Sequence, residues 1–595
     1  MSEYAAPLDD ILFALDGLVD FEGLTALEPY GHVDADGVAG LLEEFGRLMA
    51  EVWGPTNQLG DEVGSHVDGD RVVVPAEYVK AYDAYVEAGW GAVAFDPAYG
   101  GGGFPWVVGI AMQEMFNSAN MALAMCPLLS QGAIDAILHH GTEEQREKYL
   151  PRMVSGEWSG TMNLTEADAG SDVGALRARA VRQDDGTYRI TGQKIFISFG
   201  EHDLTSNIIH LVLARTPDSP AGTKGISCFI VPKYLVGDDG ELGVRNDVKV
   251  VSVEHKMGIR SSPTCVLAFG DEGEGAVGYL IGEENSGMRT MFTMMNNARL
   301  GVGVEGLGLA ERSLQRAVAY ANERRQGYAP GAARGEKSAI VDHPDVRRSL
   351  LTMRSITEAL RGLAFLVAEQ IDRAKYAPAE EDRATAQEIV DLLIPLTKSL
   401  CTDEAERVTS IGIQIHGGMG YIEETGAAQH YRDAKITQIY EGTNGIQAMD
   451  LIGRKMPMRA GGVFTDHIAR MRATVAALEA GGDDLAPIAE ELGRAVDAAE
   501  RAGIWVMEQG MADPVVALSV ATPFQRLLAL TTTGWVMGRQ ALLASARLAA
   551  GEGDAEFLEQ KLVSARFFVG SVLPEVHGLV GPATSGAEEL RAARF

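Results

Sequence analysis

The chain has 595 residues, 46% hydrophobic and 23% charged, enough apolar material for several cores and more than one core usually organises. Its 51 basic against 83 acidic side chains give a formal charge of −32. That balance excludes a polybasic nucleic-acid binder, because the field repels nucleic acid and anionic lipid unless a local basic pocket intervenes.

Residues 1–35, with Pro7 and a Gly-rich tail, read as an arm or a short hairpin of helices. The acidic start, Met1 to Asp10, has no basic segment followed by an apolar core, so no secretory or transit signal is expected. From 36 to 157 the texture is helical. Apolar residues from Asp34 to Met49 recur every three or four positions, and Thr142-Glu-Glu-Gln145 is a capping box opening another helix, followed by Tyr149-Leu150 before Pro151. Between 158 and 283 the period falls to two. Strands are expected at Tyr188–Phe199, Ile208–Ala214 and Ile226–Pro232, with turns at Asp184-Asp-Gly and Asp238-Asp-Gly. Helical texture resumes over 284–455, with long helices at 299–325, 343–375 and 382–412. Lys455–Gly462 reads as a linker, and 465–595 as an additional Ala/Leu-rich helical domain. Its segment Phe524–Ala549 has few charges but no Lys/Arg-rich face, which fits a packing helix rather than a membrane anchor.

Cys126, Cys228, Cys265 and Cys401 lie far apart without metal-ligand spacing, so buried free thiols in a reducing compartment are expected, and no metal. No uninterrupted apolar run reaches bilayer-spanning length. A cytoplasmic protein without a membrane partner follows. Tyr99-Gly-Gly-Gly-Gly-Phe104 lacks the Lys-Ser or Lys-Thr of a phosphate loop, and His416-Gly-Gly-Met-Gly lacks the spacing of a dinucleotide fingerprint.

The most informative stretch is Tyr431–Gln447, in which Glu441 stands directly before Gly-Thr-Asn-Gly. Those residues favour a turn, from which a carboxylate can be aimed into a cavity; an acid before a turn can equally be merely solvated. Four further stretches accompany it: Leu164–Val173, Lys194–Ser198, Lys256–Ser262 and Gln414–Tyr421. In that order, from about Gly89 to Arg454, the five resemble the signatures of the acyl-CoA dehydrogenase family. The resemblance implies an α+β multidomain fold: an N-terminal helical domain, a middle β-barrel or sandwich, a C-terminal four-helix bundle and here an extra C-terminal helical domain. It also implies FAD as cofactor and removal of two hydrogens from an acyl-CoA, the α-hydrogen as a proton to a carboxylate and the β-hydrogen as a hydride to flavin N5.

Carried over by position, Glu441 matches the base. Burial strengthens such a base, and backbone donors stabilise the enolate charge that develops on the thioester oxygen. Gly442, Ser171 and Arg299 fall at positions bordering substrate. Some branches place the base one residue before the arginine; here that residue is Ala298, which cannot serve. Arg299 resembles the family's buried arginine, its other reading being a solvent-facing residue near a helix start. Leu164, Thr165 and Ser171 resemble the loop on the pyrimidine side of the flavin. Phe196 stands where most relatives have tryptophan and Ser198 where many have threonine, although Phe196 also reads as an inward strand residue of the β core. Arg324 and Gln326 resemble the helix end that reaches a neighbouring subunit's FAD, and Gln414, Gly417 and Gly418 the adenine-pyrophosphate loop. Thr443 resembles a contact to the AMP half. An insertion from Gly327 to about Ser338 departs from the family pattern and puts its aromatic adenosine contact in doubt.

These resemblances imply a homo-oligomer, dimer or tetramer, with electron-transfer flavoprotein as acceptor. In length the chain resembles the family's long bacterial subgroup acting on 3-methylmercaptopropionyl-CoA. Straight short- or medium-chain acyl-CoA dehydrogenases and acyl-CoA oxidases stay open as readings. A non-catalytic, DNA-binding flavoprotein is disfavoured by the charge.

Overall fold

A computed structural model describes residues 4–333 and 335–595. The first three residues of the acidic start, Arg334 of the insertion and the side chain of Asn296 lie outside the described residues. In chain order, helices α1 (Leu8–Gly17), α2 (Ala35–Leu48) and α3 (Ala76–Glu87) precede the long α4 (Trp106–His140) and α5 (Glu143–Val154). A hairpin that the periodicity does not announce, β1 (His66–Asp68) and β2 (Arg71–Val73), turns at Gly69 with φ +66°.

The capping box of α5 is present: Gln145 N–H donates to Thr142 Oγ1 at 3.2 Å, and Thr142 N–H to Gln145 Oε1 at 3.0 Å. The helix continues through Pro151 to Val154, a proline near a helix end removing only one backbone bond. By length and composition α4 could cross a bilayer, contrary to the expectation that no run reaches that length. Most of it is buried inside the protein, however, it is broken at Asn120 (φ −161°), and it carries buried Gln113, Glu114 and Asn117.

The strands β3 (Trp158–Asn163), β4 (Arg179–Arg182), β5 (Tyr188–Ser198), β6 (Asn207–Ala214), β7 (Ser227–Pro232), β8 (Tyr234–Val236), β9 (Leu242–Arg245), β10 (Val248–Val253), β11 (Thr264–Phe269) and β12 (Ala276–Ile281) follow. Then come α6 (Gly287–Glu323), α7 (Pro344–Tyr376), α8 (Glu380–His416), α9 (Ala427–Thr437) and α10 (Asn444–Asp450). Last are α11 (Gly462–Ala480), α12 (Ala486–Ala512), α13 (Ala521–Ala550), α14 (Ala555–Ser571) and α15 (Glu575–Ala583). Helix α6 begins twelve residues before Arg299, so the expected start at 299 is corrected: Ser286 ends the turn after β12 and the apolar periodicity already begins at Met288.

Two compact units form from these elements. The first comprises residues 47–104 and 119–301. Its main sheet has the order β10-β11-β5-β12-β7-β6-β3, with β4 on β5; β3 and β6 are parallel and the other pairs antiparallel. Every residue of β6 and β7 is buried, which explains their nearly continuous apolar sequence. The glycine run after Tyr99 is a packed loop. Gly102 and Gly103 N–H donate to Ala92 and Phe95 carbonyls at 2.8 and 2.9 Å, and a Cβ at Gly101 would meet the Phe95 carbonyl oxygen at 2.0 Å.

The second unit comprises residues 4–46, 105–118 and 302–595. Helices α7 and α8 pair along their length, and α13 is buried among α7, α8, α14 and α15, a packing helix as expected. Gln525 and Gln540 of α13 donate to the carbonyls of Pro395 and Glu358 at 3.2 and 3.1 Å. The arm packs here too, Phe13 of α1 lying against Ala544 and Leu558. In the segment 455–462, read as a linker, Lys455 pairs with Asp391 at 3.3 Å and Arg459 with Glu388 at 2.9 Å, tying it to α8. All four cysteines are buried and unpaired.

Candidate active site

In the second unit the Glu441 turn is built by its neighbours' side chains. Helix α9 ends at Thr437, and α10 begins at Asn444 with Thr443 as N-cap, its Oγ1 accepting from Ile446 N–H at 3.2 Å. Between them Glu441 (φ 55°) and Gly442 (φ 83°) both occupy the left-handed region, easy for glycine and costly for glutamate. Asn444 anchors the turn to α8. Its Nδ2 donates to Thr402 Oγ1 at 2.9 Å and to Asp403 Oδ1 at 2.8 Å, while its Oδ1 accepts from the buried Lys398 Nζ at 2.8 Å. Gln447 Nε2 donates to the carbonyls of Glu441 and Gly442 at 3.3 and 3.2 Å. Holding those carbonyls fixes two peptide planes, and with them the directions of the Gly442 and Thr443 N–H groups.

Beneath the turn, the Tyr440 hydroxyl donates to Glu305 Oε2 on α6. Gly306 lets α6 lie close on α8, since a Cβ there would meet the Cys401 carbonyl oxygen at 2.6 Å. Glu305 is fully buried. Burial, reinforced by the Glu441 charge and opposed by the Tyr440 hydrogen bond and Lys398, pushes its carboxyl up to about 8. Burial and Glu305 likewise hold the Tyr440 phenol well above its ordinary value.

At the far end of α8, Gly417 takes the C-cap with φ 62°, and Gln414, Gly417 and Gly418 are exposed. A Cβ on either glycine would meet nothing within 4 Å, so the space they leave is open to an outside group. Tyr320, one turn before Arg324, stacks on His416 with ring centroids 4.4 Å apart. The ends of α6 and α8 therefore meet, and Arg324, Gln326, Gln414, Gly417 and Gly418 share one exposed end of this unit. The insertion after Gln326 folds back on itself: Gln326 N–H donates to Ser338 O at 3.0 Å and Ser338 N–H to Gly327 O at 3.1 Å. Gln414 lies twelve residues beyond Thr402, about 18 Å along the helix from the Glu441 anchor.

The first unit carries the other predicted residues. Leu164 and Thr165 follow β3, and their carbonyls accept from Lys194 Nζ at 3.0 Å and Ile195 N–H at 2.9 Å. Lys194 is buried and pairs with Glu166 at 2.8 Å, while Glu166 also accepts from Arg177 and Ala178 N–H at 2.6 and 3.0 Å. Burial alone would raise the Glu166 carboxyl, but Lys194 and those donors bring it below its ordinary value. This ion pair pins the loop on which Ser171 is exposed.

Phe196 sits in a β-bulge. Lys194 pairs with Leu267 and Ile197 with Cys265, so two residues of β5 face one of β11. The backbone of Phe196 turns left-handed at φ 58°, and the residue is 59% exposed. The inward reading of Phe196 is overturned, since the extra residue reverses the strand's alternation. Ser198 is half-buried two residues on. Arg299 is buried on α6 rather than solvent-facing, and Ala298 packs among Met291 and Met294. Among the described residues no cluster of His, Cys, Asp or Glu has the makings of a metal site. An apolar cavity of about 410 Å³, lined by Met456, Val506, Met507, Met511 and Leu518 among others, includes none of the predicted site residues.

Comparison with known proteins decides what these residues belong to. The chain matches the acyl-CoA dehydrogenase N-terminal domain over residues 62–157, the middle domain over 161–271 and the C-terminal domain over 285–456. Residues 467–594 match the acetyl-CoA dehydrogenase C-terminal-like family. The chain belongs to the acyl-CoA dehydrogenase family.

It is 48% identical over 574 residues to the 3-methylmercaptopropionyl-CoA dehydrogenase of Ruegeria pomeroyi, covering 96% of each chain. It is 36% identical over 608 residues to a broad-specificity linear acyl-CoA dehydrogenase of Mycobacterium tuberculosis, again covering 96% of each. The fold resembles that of an acyl-CoA dehydrogenase complexed with FAD from Bacillus anthracis, with TM-score 0.73 and 22% identity over 96% of this chain and 93% of that one. As an acyl-CoA dehydrogenase the chain is an FAD-dependent oxidoreductase.

Its residues fit that cofactor. A rigid, exposed aromatic at Phe196 beside the pinned Leu164–Thr165 loop offers a ring wall, and the open glycines after α8 offer close backbone approach. Asn444, Gln447, Lys194 and Glu166 all lie inside the recognised motifs, where sequence reasoning gave roles to Glu441, the flavin contacts and the substrate-bordering Gly442 and Ser171 but not to these four. Glu305 lies outside every motif, and no sequence signal marks it.

Proposed function

We propose that this acyl-CoA dehydrogenase converts a short acyl-CoA thioester to its α,β-unsaturated product, with 3-methylmercaptopropionyl-CoA to 3-methylthioacryloyl-CoA as its reaction. The observation that carries the mechanism is the Glu441 turn, in which a half-buried carboxylate is held in a strained conformation by Asn444, Gln447 and Tyr440. Strain on a carboxylate is retained where its direction matters. Glu441 takes the substrate α-proton. The Glu441 backbone N–H is a donor to the charge that develops on the thioester oxygen, an arrangement that lowers the barrier because no reorganisation is needed. Arg299, buried in the N-terminal half of its helix, borders the substrate. Bound FAD supplies the hydride acceptor, with Leu164, Thr165, Ser171, Phe196, Ser198 and Thr443 as its contacts; the Thr443 hydroxyl still has its proton to donate.

The substrate follows the Ruegeria relative, aligned over nearly the whole chain. A straight short- or medium-chain acyl-CoA is the second reading, favoured by the broad-specificity mycobacterial relative. A sulfur in place of a methylene shifts selectivity by only about 1–3 kcal/mol in an apolar pocket. The exposed end holding Arg324, Gln326, Gln414, Gly417 and Gly418 supports a homodimer in which these residues complete the partner's FAD site. Electron-transfer flavoprotein as acceptor and a cytoplasmic location complete the proposal.

Anaerobic single-turnover bleaching of the flavin tests it across a panel of acyl-CoAs. Wild type should reduce fastest with the thioether substrate. Glu441→Gln should bind FAD and acyl-CoA yet reduce flavin at least about 10³-fold more slowly, near the upper range for a general base. A loss below about tenfold assigns the proton to another group.

A further inference from the structure

Glu305 is a carboxylate where the packing calls for an apolar residue or an amide. It is fully buried on α6, and one oxygen accepts from the Tyr440 hydroxyl while Oε1 has no hydrogen-bond partner among the described residues. Such a group is costly unless it stays uncharged or serves a purpose. Its place is specific. Tyr440 directly precedes Glu441, and the same turn is clamped on its other side by Asn444. The turn is thus held from two helices, α8 through Asn444 and α6 through Glu305.

We propose that Glu305 is a positioning residue for Glu441, acting through the Tyr440 phenol to set the reach of the base toward the substrate. This rests on the reading of Glu441 as the base. The charged groups that face the Glu305–Tyr440 pair are Glu441 from the turn, Lys398 from α8 and Asp433 from α9. With Oε2 accepting from Tyr440, the proton of uncharged Glu305 resides on Oε1. Because burial pushes the Glu305 carboxyl up to about 8, it is largely uncharged at neutral pH and ionises in mildly alkaline solution. A second carboxylate then stands beside Glu441. It repels the negative charge where that charge begins more strongly than where it ends, on the substrate side, so proton abstraction accelerates.

The test is single-turnover flavin reduction of the FAD-loaded enzyme from pH 6 to pH 10, with saturating acyl-CoA and with acyl-CoA binding measured separately. Wild type should show an inflection near pH 8 on the order of threefold, as expected for a change in base strength partly expressed in the rate. Glu305→Gln keeps an acceptor for Tyr440 and should retain most of the rate at pH 7 while losing the inflection. Tyr440→Phe and Glu305→Leu release the phenol, and each should lower the limiting rate on the order of tenfold or more with acyl-CoA affinity little changed. Rescue by glutamine but not leucine distinguishes positioning from packing. An inflection that persists in Glu305→Gln, or a wild-type limiting rate in Tyr440→Phe, overturns the proposal even if Glu305→Leu does not fold. A wild-type rate in Glu441→Gln overturns instead the base assignment on which it rests.

Discussion

Phe196 and Glu441 share a backbone anomaly, both being non-glycine residues in the left-handed region, at φ 58° and 55°. They are held there by different means. Phe196 is fixed by main-chain pairing, since the β5–β11 ladder continues on both sides of the bulge and no side chain is needed to keep the ring outward. Glu441 lies between two helices, and its turn depends on side chains drawn from α6, α8 and α10. A ladder tolerates substitution at the bulge, because the bonds belong to the neighbours' backbone. A side-chain network does not, because each member removed takes a hydrogen bond from others that stay buried. The first unit should therefore lose function by losing a surface, and the second by losing geometry.

The sharpest break of that comparison is Asn444→Ala. It removes hydrogen bonds to Thr402, Asp403 and Lys398 and leaves the Lys398 ammonium buried. We expect a stability loss of about 2–4 kcal/mol, in line with breaking a buried charged network. Flavin reduction should fall about 100-fold or more with Glu441 intact. Denaturant unfolding and stopped-flow bleaching read the two effects. A stable variant of wild-type rate would show that the turn is held without the network.

Next comes the pH dependence of stability that Glu305 imposes. Its folded pKa, about 8, lies above the unfolded value of 4.5, so between those limits the folded state binds more protons than the unfolded state. Its contribution is complete below about pH 4.5 and is lost as pH rises to about 8. Glu305→Gln lacks this dependence. The stability of the variant relative to wild type should rise between pH 5 and pH 8, on the order of 1 kcal/mol per unit, and level off beyond. Chemical unfolding of both proteins at matched pH gives that difference. A constant difference across the window would place an ionised Glu305 in the folded protein.

The same contrast explains what could be read from the sequence. The helical–β–helical succession was legible because each segment carries its own period, and strands β5 to β7 and the capping box of α5 fall where local residues put them. The Phe196 bulge was not. An alternating pattern predicts an inward ring, and only pairing with β11, some 70 residues distant, shows that β5 holds one residue too many. The turn at Glu441 was legible through its Gly-Thr-Asn-Gly sequence, but its restraints were only partly so. Asn444 and Gln447 stand in the same stretch without declaring their partners, and Glu305 lies 135 residues upstream of Tyr440 on an ordinary helix face. Long-range side-chain bonds leave no local period behind. The 455–462 segment reads as a linker from its Pro and Gly, and the ion pairs that tie it to α8 are likewise long-range and leave no trace in its composition.

The smallest effect is expected at Phe196→Gly, and it tests the ladder half of the comparison. Glycine adopts φ near +58° without the Cβ clash that costs a side chain about 1 kcal/mol, although it also gives the unfolded chain more freedom. Phe196 is 59% exposed, so most of the residue's surface already faces solvent. The two backbone contributions nearly cancel. The FAD-free protein should unfold within about 1 kcal/mol of wild type, with the flanking pairs Lys194–Leu267 and Ile197–Cys265 still protected from hydrogen exchange. FAD retention should nonetheless weaken severalfold, because the aromatic wall is gone while the Leu164–Thr165 loop stays pinned by Lys194. Fluorescence titration of FAD into the stripped protein measures this. If the variant lost the sheet's protection along with FAD, the ring would be supporting the fold, and the bulge could not be assigned to holding a surface for the cofactor.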